Sequence, residues 1–335
     1  MSSKDISNQN HPIQNTENKE LFLPKNFSKR LELMRAGLNE LENWLSDTIS
    51  QGLASLESQP YSLWKEISAR MVDAKLGGIS KQILSIQQLI TSEERYPEKV
   101  LEALTAYYLL IKGLRKLEQL PTAIQYDLLS YAGITPRKEA LLKHGNIVHD
   151  AWMVLGKEEG IEDKLNYRKT WLLGYQTRRY GLILDYSFGN TPYNEDYTVG
   201  GVFEGDAVFY PSNAPLRIIM KDINELERKV RRIVGYPNLN DFLIAYADNL
   251  ANNLWQINFP CSIENLLPAF EKQQLVLVDT NENTIPVICN AAKKWTILAM
   301  SGGHPINIFG IWKGNGLIPL SLSINKKFVS LQEYT

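Results

Sequence analysis

Residues 171–188 read WLLGYQTRRYGLILDYSF, and this stretch decides the structural class of the second half of the chain. Aromatic, β-branched and other apolar residues fill positions 167–175 and 180–187, a composition typical of two short β-strands. The polar residues 176–179 between them suit a hairpin turn. The stretch therefore predicts an antiparallel hairpin with Arg178 and Arg179 in its turn.

Further strands are predicted on both sides of this hairpin. Short apolar runs bounded by turn residues lie at 147–155, 206–210, 274–279, 284–289, 295–300, 306–312 and 318–323. Helical patterns interrupt them at residues 224–234 and 239–255. We therefore expect a mainly antiparallel β domain at residues 146–335, either a sheet or an open barrel, with a helical insertion at about residues 223–255.

The first half of the chain has a different period. From Phe27 onward, apolar residues recur three or four positions apart and charged residues fill the other side, the pattern of amphipathic helices. Proline and glycine at the expected ends divide residues 27–145 into about six helices. Residues 1–20 are polar without periodic apolar positions, and we predict a disordered tail there. The sequence thus predicts an α+β protein, with an all-helical domain at residues 21–145 before the β-rich domain.

Composition excludes several classes of function. The 335 residues hold 36 basic and 37 acidic side chains, so the net charge near −1 gives no overall attraction to nucleic acid or anionic membrane. No apolar run approaches the roughly 20 residues that span a bilayer. Two cysteines, Cys261 and Cys289, cannot form a disulfide framework and fit a reducing compartment. These properties predict a soluble cytoplasmic protein.

Asp185 is the most informative carboxylate, because it interrupts the apolar strand GLILDYSF. Alternation places Ile183 and Asp185 on the same strand face. If that face is covered, the carboxylate needs a cationic partner, and Arg179 or Arg217 would serve. The alternative is an ordinary half-exposed strand residue.

The only local basic cluster is RKVRR at residues 228–232, which falls within the predicted helix. Arg228, Arg231 and Arg232 could meet phosphates or an acidic partner, since guanidinium groups suit planar anions. Glu225 and Glu227 precede them, so a solvated helix face with intrahelical ion pairs is the other interpretation.

Residues 301–304, SGGH, bring a serine and a histidine together, but they are not part of a GxSxG motif and are best interpreted as a turn. The chain holds no P-loop, GxGxxG, HExxH or CxxC motif. Enzyme hypotheses therefore lack a nucleophile, a metal or a phosphate cradle. A hydrolase or transferase using Asp185 with the loop from Ser301 to His304 is kept as an alternative.

Several blocks of the chain resemble bacterial SWIM zinc-finger proteins in the region downstream of their zinc finger. In the first half they are GLNELENWLSDTISQGLASL (37–56) and WKEISARMVDAKLGGISKQI (64–83). In the second half they are RKTWLLGY (168–175), RRYGLILDYSFG (178–189), GDAVFYPSNAPLR (205–217), LAMSGGHPINIFGIWKG (298–314) and LIPLSL (317–322). The likeness extends over most of residues 30–322.

The resembling blocks do not include the zinc site from which this family takes its name. The family's CxCxnCxH motif supplies four converging ligands, whereas this chain has no CxC and two cysteines in all. We therefore expect no zinc or other cofactor, in either a natural zinc-free relative or the product of a split or shortened gene. The resemblance implies an interaction protein, with a MoxR-type AAA ATPase system as a possible partner. The leading hypothesis is a non-enzymatic cytoplasmic scaffold, and a nucleic-acid-binding accessory protein is the alternative.

Overall fold

The computed structural model describes residues 23–92, 96–162, 164–193 and 195–332. The tail predicted at residues 1–20 lies outside them. The described part of the first half is helical, and the chain is α+β as the sequence predicts. Its helices are α1 (Phe27–Gln51), α2 (Tyr61–Asp73), α3 (Gly77–Ser92), α4 (Tyr96–Arg115), α5 (Thr122–Tyr131) and α6 (Lys138–His144).

The helices of this half pack around a common apolar core. Met34, Leu38 and Leu41 of α1 are fully buried, as their spacing predicts. Trp64 of α2 is also buried, and its ring lies edge-on to that of Trp44 at 6.0 Å between centroids. Burying side chains of this size stabilises a core by about 1.5–3 kcal/mol each. Burial of the apolar faces of these amphipathic helices therefore drives the assembly of the helical half.

The first sheet of the β-rich half has five antiparallel strands in the order β3-β2-β1-β4-β5. They are β1 (Asn146–Glu162), β2 (Leu165–Gly174), β3 (Tyr180–Phe188), β4 (Gly201–Phe209) and β5 (Ile218–Lys229). The hairpin predicted around residues 176–179 joins β2 to β3. The sheet curls, because the Leu182 N–H donates to the Leu216 carbonyl at 2.8 Å just before β5 begins. This curling brings the two ends of the sheet together, in the manner of an open barrel.

The second sheet follows a single helix, α7 (Leu239–Asn252). Its strand order is β11-β10-β9-β6-β7-β8. The elements are β6 (Phe259–Glu271), β7 (Gln274–Val278), β8 (Thr284–Pro286), helix α8 (Ala291–Ser301), β9 (Ile306–Trp312), β10 (Leu317–Ile324) and β11 (Lys327–Ser330). Helix α7 packs on this sheet through Phe242, whose ring lies edge-on to Trp312 at 5.3 Å.

The two sheets pack on each other through a shared apolar layer. Leu155 and Trp171 of the first sheet lie in one buried cluster with Phe309 and Leu320 of the second. A hydrogen bond crosses the same interface: the buried Ser321 hydroxyl donates to the Leu155 carbonyl at 2.6 Å. The β-rich half therefore has two sheets held by one common core.

The helix predicted over residues 224–234 is wrong, because residues 218–229 form strand β5. The prediction relied on Leu226, Val230 and Val234, which are four positions apart. A spacing of four fits one face of a helix, but it fits one face of a strand equally well. Pairing with β4 settles the choice: Leu226 lies opposite Val202 in the ladder. Of the helical insertion predicted at about residues 223–255, only α7 is helical.

The strand predicted over residues 295–300 is also wrong, since these residues belong to α8. The Asn290 side chain caps this helix by accepting from the Lys293 N–H at 2.8 Å. At the other end, Gly302 adopts the left-handed conformation that stops a helix. A short apolar run is ambiguous between helix and strand, and these end signals decide it.

Strand β6 escaped prediction because Pro260 and Pro268 lie within it. Proline cannot donate to a ladder and is unusual in a central strand. The strand bends at a bulge between Ile263 and Leu266, where Asn265 has a φ of 55°. Throughout the part of the chain that the structure describes, no helix combines the length and apolar character needed to cross a bilayer.

Candidate functional site

The loop between β4 and β5 lies where the helical and β-rich halves meet; residues 210–217, YPSNAPLR, are the junction loop. Its ends are tied together because the Tyr210 N–H donates to the Arg217 carbonyl at 2.9 Å. Pro211 and Pro215 fix φ and lack an N–H, which restricts the loop further. The sequence therefore makes this connection compact.

Asp127 of α5 binds the junction loop from the helical half. The Ser212 hydroxyl donates to one carboxylate oxygen at 2.5 Å, and the Asn213 N–H donates to the other at 3.0 Å. The Asp127 residue is only 6% exposed. Burial raises the pKa of Asp127 to about 6, although the two donors act in the opposite direction. A desolvated carboxylate thus connects the two halves.

The C-terminal end of α7 binds the same loop from another side. The Asn213 side-chain amide donates to the Asn252 carbonyl at 3.0 Å. A few residues later, the Trp255 ring lies 5.9 Å from the Tyr131 ring of α5 and packs against the helical core. The junction loop is therefore held by the helical half and by the segment that carries the second sheet.

A cleft of about 410 Å³ opens beside the junction loop. Its walls come from the β2–β3 turn, the junction loop, α7 and the start of β6. The polar groups that line it include Arg178, Arg179, Asp248, Asn249 and Asn252, and its apolar lining includes Leu216, Tyr236 and Phe259. Clefts of this size with a few convergent polar groups are the usual form of ligand sites.

Asp150 of β1 fixes the turn that carries the two arginines. This carboxylate is 2% exposed and accepts from the N–H groups of Gln176 and Thr177 at 3.0 and 2.8 Å. The Thr177 hydroxyl donates to it at 2.6 Å. Gly174 is needed beside it, because a Cβ there would overlap the Asp150 carboxylate. The turn is held in one conformation, in which Arg178 has a left-handed φ of 56°.

Arg179 and Asn249 enter the cleft with unmet hydrogen-bonding capacity. The Arg179 guanidinium lies over the Phe209 ring at 4.1 Å, and burial lowers its pKa. Among the residues that the structure describes, its side chain makes no hydrogen bond or ion pair. The Asn249 Nδ2 is buried and has no acceptor in the same part of the chain. The cleft therefore offers a partly desolvated cation and a free amide donor.

Asp185 takes a different partner from the two that the sequence suggests. Its carboxylate pairs with the Arg168 guanidinium at 3.1 Å, and neither Arg179 nor Arg217 reaches it. Arg168 is almost fully buried and also contacts Asp196 at 3.3 Å. The pair lies on neighbouring strands, since Arg168 faces Asp185 in the β2–β3 ladder. Arg168 therefore links Asp185 of β3 to Asp196 in the loop after β3.

Arg217 resembles Arg179 in its surroundings but lies outside the lining of the cleft. Its guanidinium lies over the Tyr210 ring at 4.5 Å, as that of Arg179 lies over Phe209. Of the six predicted binding residues, Arg179 is the one that lines the cleft.

The basic cluster at residues 228–232 lies at the end of β5 and just beyond it, not on a helix. The predicted intrahelical pairs with Glu225 and Glu227 are therefore wrong. Arg228 and Arg231 are exposed, whereas Arg232 donates to Glu264 at 2.5 Å. The cluster remains a basic surface, and it does not line the cleft.

Ser301 is the last residue of α8, and residues 302–304 form the turn that the two glycines predict. The Ser301 hydroxyl donates to the Leu298 carbonyl at 2.9 Å within the helix end, and Ser301 is buried. Neither Asp185 nor Ser301 lines the cleft. This cleft therefore does not bring together the residues that the hypothesis of a hydrolase or transferase requires.

Comparison with known families gives one result. Residues 29–132 match the model of the SWIM-associated four-helix bundle domain. The helical half carries a SWIM-associated domain. This confirms the resemblance for the helical half and is consistent with a SWIM-family protein matched downstream of its zinc finger. The resembling blocks of the β-rich half lie outside the matched residues. Searches of curated proteins and of solved structures give no match.

The SWIM-associated domain contains the carboxylate that sequence reasoning missed, Asp127. Its partners Ser212 and Asn213 lie 85 and 86 residues further along the chain. Asp150 and Asn249 were missed as well. One signal was available: Asp127 falls in an apolar helix, IQYDLLSY, where a carboxylate is unusual.

Proposed function

We propose that this protein is a non-enzymatic interaction protein in which the SWIM-associated domain and the β-rich half act as one scaffold. One observation carries the proposal: the buried Asp127 of the SWIM-associated domain holds the junction loop of the β-rich half. A scaffold has to present surfaces of both halves in a fixed relation, and this contact supplies that constraint.

The local geometry supports a fixed junction. The loop has two prolines, so little conformational freedom remains to be lost when it is held. It is attached to α5, to α7 and to β3, and a further hydrogen bond closes the base of the loop itself. A partner that contacts both halves would therefore meet a surface that is already organised, which lowers the entropic cost of binding.

The partner that we propose is a protein, and the resemblance to SWIM zinc-finger proteins points to a MoxR-type AAA ATPase system. We propose that the scaffold works without zinc in the cytoplasm, since its two cysteines do not supply a set of zinc ligands. The SWIM-associated domain supports the family context of this proposal, and the choice of ATPase comes from the resemblance.

The test is complex formation with purified protein. The full chain is mixed with the MoxR-type ATPase of the same genome and run on a sizing column at physiological salt. We expect the two to elute together, and we expect Asp127→Ala to weaken the complex at least fivefold. Arg232→Gln, which removes a surface ion pair away from the junction, is the matched control and should bind as wild type.

Two results would contradict the proposal. Wild-type protein that elutes alone at micromolar concentrations of both components would remove the ATPase as partner. If wild type and Asp127→Ala bound the ATPase with the same affinity, the junction would not matter for the scaffold. A circular dichroism spectrum of each variant establishes that it is folded.

Nucleic-acid binding is the second candidate, and the exposed basic side chains at the end of β5 favour it. Arg228, Lys229 and Arg231 are all exposed there. Contacts of this kind give an affinity that falls steeply as salt rises. A mobility shift with DNA that is salt-sensitive, and that Arg228→Glu with Arg231→Glu abolishes, would support this function; no shift at 50 mM salt would exclude it.

A further inference from the structure

We infer that the cleft beside the junction loop binds a carboxylate group of an acidic protein segment, with Arg179 and Asn249 as its recognition pair. The inference rests on the proposed function, because it names the chemistry through which the scaffold would hold its partner. It adds a site of about 410 Å³, within the roughly 300–1,000 Å³ of typical ligand pockets.

Arg179 is prepared for an anion by what surrounds it. Its guanidinium stacks on the Phe209 ring at 4.1 Å, which fixes the plane of the group. Stacking occupies a face of the guanidinium and leaves its N–H donors, which lie in the plane, free to form a bidentate pair. Burial lowers the pKa of Arg179, so part of the cost of desolvation has already been met in the free protein.

Asn249 of α7 also lines the cleft and would supply the second contact. Its Nδ2 is buried without an acceptor in the described part of the chain. A buried donor without a partner destabilises the protein, and an acceptor from a ligand would recover that loss. Arg179 belongs to the turn that Asp150 fixes, and Asn249 belongs to α7. The two donors are therefore held on separate elements that both line the cleft.

The charge of the cleft favours a carboxylate over a phosphate. Arg178 and Arg179 face one aspartate, Asp248, so the lining carries a single net positive charge. A carboxylate matches that charge, whereas a phosphate with about two negative charges would leave one uncompensated in partly apolar surroundings. Leu216, Phe259 and their neighbours would contact the aliphatic part of a glutamate or aspartate side chain.

The test measures fluorescence anisotropy of a fluorescein-labelled hexaglutamate peptide with an amidated C-terminus, titrated with the full chain. We expect saturable binding by wild type and at least a tenfold loss of affinity in Arg179→Gln. Asn249→Asp replaces the donor by a negative charge and should cause a loss at least as large. Arg217→Gln removes a similarly stacked arginine outside the cleft and should change affinity less than twofold.

Inorganic phosphate and acetate are added as competitors to separate the two anions. Acetate that displaces the peptide at a lower concentration than phosphate supports the carboxylate assignment, and the reverse order overturns it. Equal losses in Arg179→Gln and Arg217→Gln would indicate unspecific attraction and overturn the site. Failure of wild type to bind the peptide would overturn it as well. Thermal unfolding midpoints of the variants show whether each is folded.

The outcomes also separate this inference from the scaffold proposal. If the ATPase complex forms equally with wild type and Arg179→Gln while hexaglutamate does not bind, the cleft assignment fails and the scaffold stands. If hexaglutamate binds through Arg179 but no ATPase complex forms, the partner is wrong and the carboxylate site stands.

Discussion

Two buried carboxylates, Asp127 and Asp150, each hold a segment that borders the cleft. They differ in whether that segment belongs to the same half of the molecule as the carboxylate. Asp150 accepts donors from a turn of its own sheet, and it also accepts from the N–H of the adjoining residue Ala151 at 2.7 Å. Asp127 accepts two donors from the other half of the molecule. Both use the same chemistry, a desolvated acceptor for donors that would otherwise be unpaired.

The difference lies in how well each carboxylate is satisfied. Four donors surround Asp150, whereas two reach Asp127, and burial raises the pKa of Asp127 to about 6. The local turn is therefore held by a carboxylate with four hydrogen-bond donors. The junction between the halves is held by a group that is close to changing its charge near neutral pH. The comparison implies a rigid turn and a junction that responds to pH.

The largest expected effect comes from Asp150→Ala. This change leaves the N–H groups of Gln176 and Thr177 and the Thr177 hydroxyl without their acceptor. We expect the free energy of unfolding to fall by about 3 kcal/mol, since the turn loses all the hydrogen bonds that a buried carboxylate accepts from it. Urea denaturation followed by circular dichroism measures this. A loss below about 1 kcal/mol would show that the turn does not depend on Asp150.

Asp127→Ala should cost less, about 1.5–2 kcal/mol at pH 7. Two donors lose their acceptor, but the change also removes the desolvation of a buried carboxylate, which offsets part of the loss. The same urea titration compares it with Asp150→Ala. A greater loss for Asp127→Ala than for Asp150→Ala would reverse the comparison.

The pH dependence of Asp127 has a definite sign. Its pKa in the folded protein, about 6, lies above its ordinary value of 3.8, so the folded state binds the proton more tightly. The resulting stabilisation is present at low pH and is lost as pH rises through 6. As the pH falls from 7.5 to 5, the free energy of unfolding of wild type should increase by about 1.4 kcal/mol relative to that of Asp127→Asn. This is the free energy that corresponds to one pKa unit.

Urea denaturation of both proteins at the two pH values checks this, and the subtraction cancels the titration of all other groups. An unchanged difference would mean that Asp127 has an ordinary pKa. A shift in favour of Asp127→Asn at pH 5 would mean that the pKa of Asp127 is lowered.

Ser212→Ala should have the smallest effect, about 0.5–1 kcal/mol. It removes one of the two donors to Asp127 and leaves the Asn213 N–H in place. We expect the effect of Ser212→Ala to be smaller in an Asp127→Ala background, because the contact with Asp127 is then already lost, although the Ala214 N–H still loses its acceptor. A double-mutant cycle by urea denaturation measures this coupling, and additive losses would contradict it.

The helical half and the central hairpin could be predicted from the sequence because their signals are local. The period of Leu31, Met34 and Leu38 fixes α1, and the polar residues 176–179 fix the turn. Residues 224–234 failed because a spacing of four does not distinguish a helix from a strand. In that region the choice was made by the ladder with β4, which is a tertiary contact.

The site was less predictable because its contacts join distant parts of the chain. Asp185 attracted attention as an acid in a strand, but its partner Arg168 faces it in the ladder and neutralises it. Asp127 reaches a serine 85 residues away, and Arg179 of the β2–β3 turn and Asn249 of α7 line the same cleft. No spacing in the sequence encodes these meetings. Arg179 was identifiable as an arginine in a turn, although its cleft was not.

Amide hydrogen exchange at the junction loop tests the central claim, that Asp127 holds the two halves together, most directly. The peptide covering residues 210–217 is compared between wild type and Asp127→Ala at pH 7, with residues 174–179 as the internal reference. The account predicts that the junction loop loses protection at least tenfold in the variant, led by the Asn213 amide that donates to Asp127, while the turn held by Asp150 exchanges as in wild type. Unchanged protection of the junction loop, or an equal loss in both segments, would contradict it.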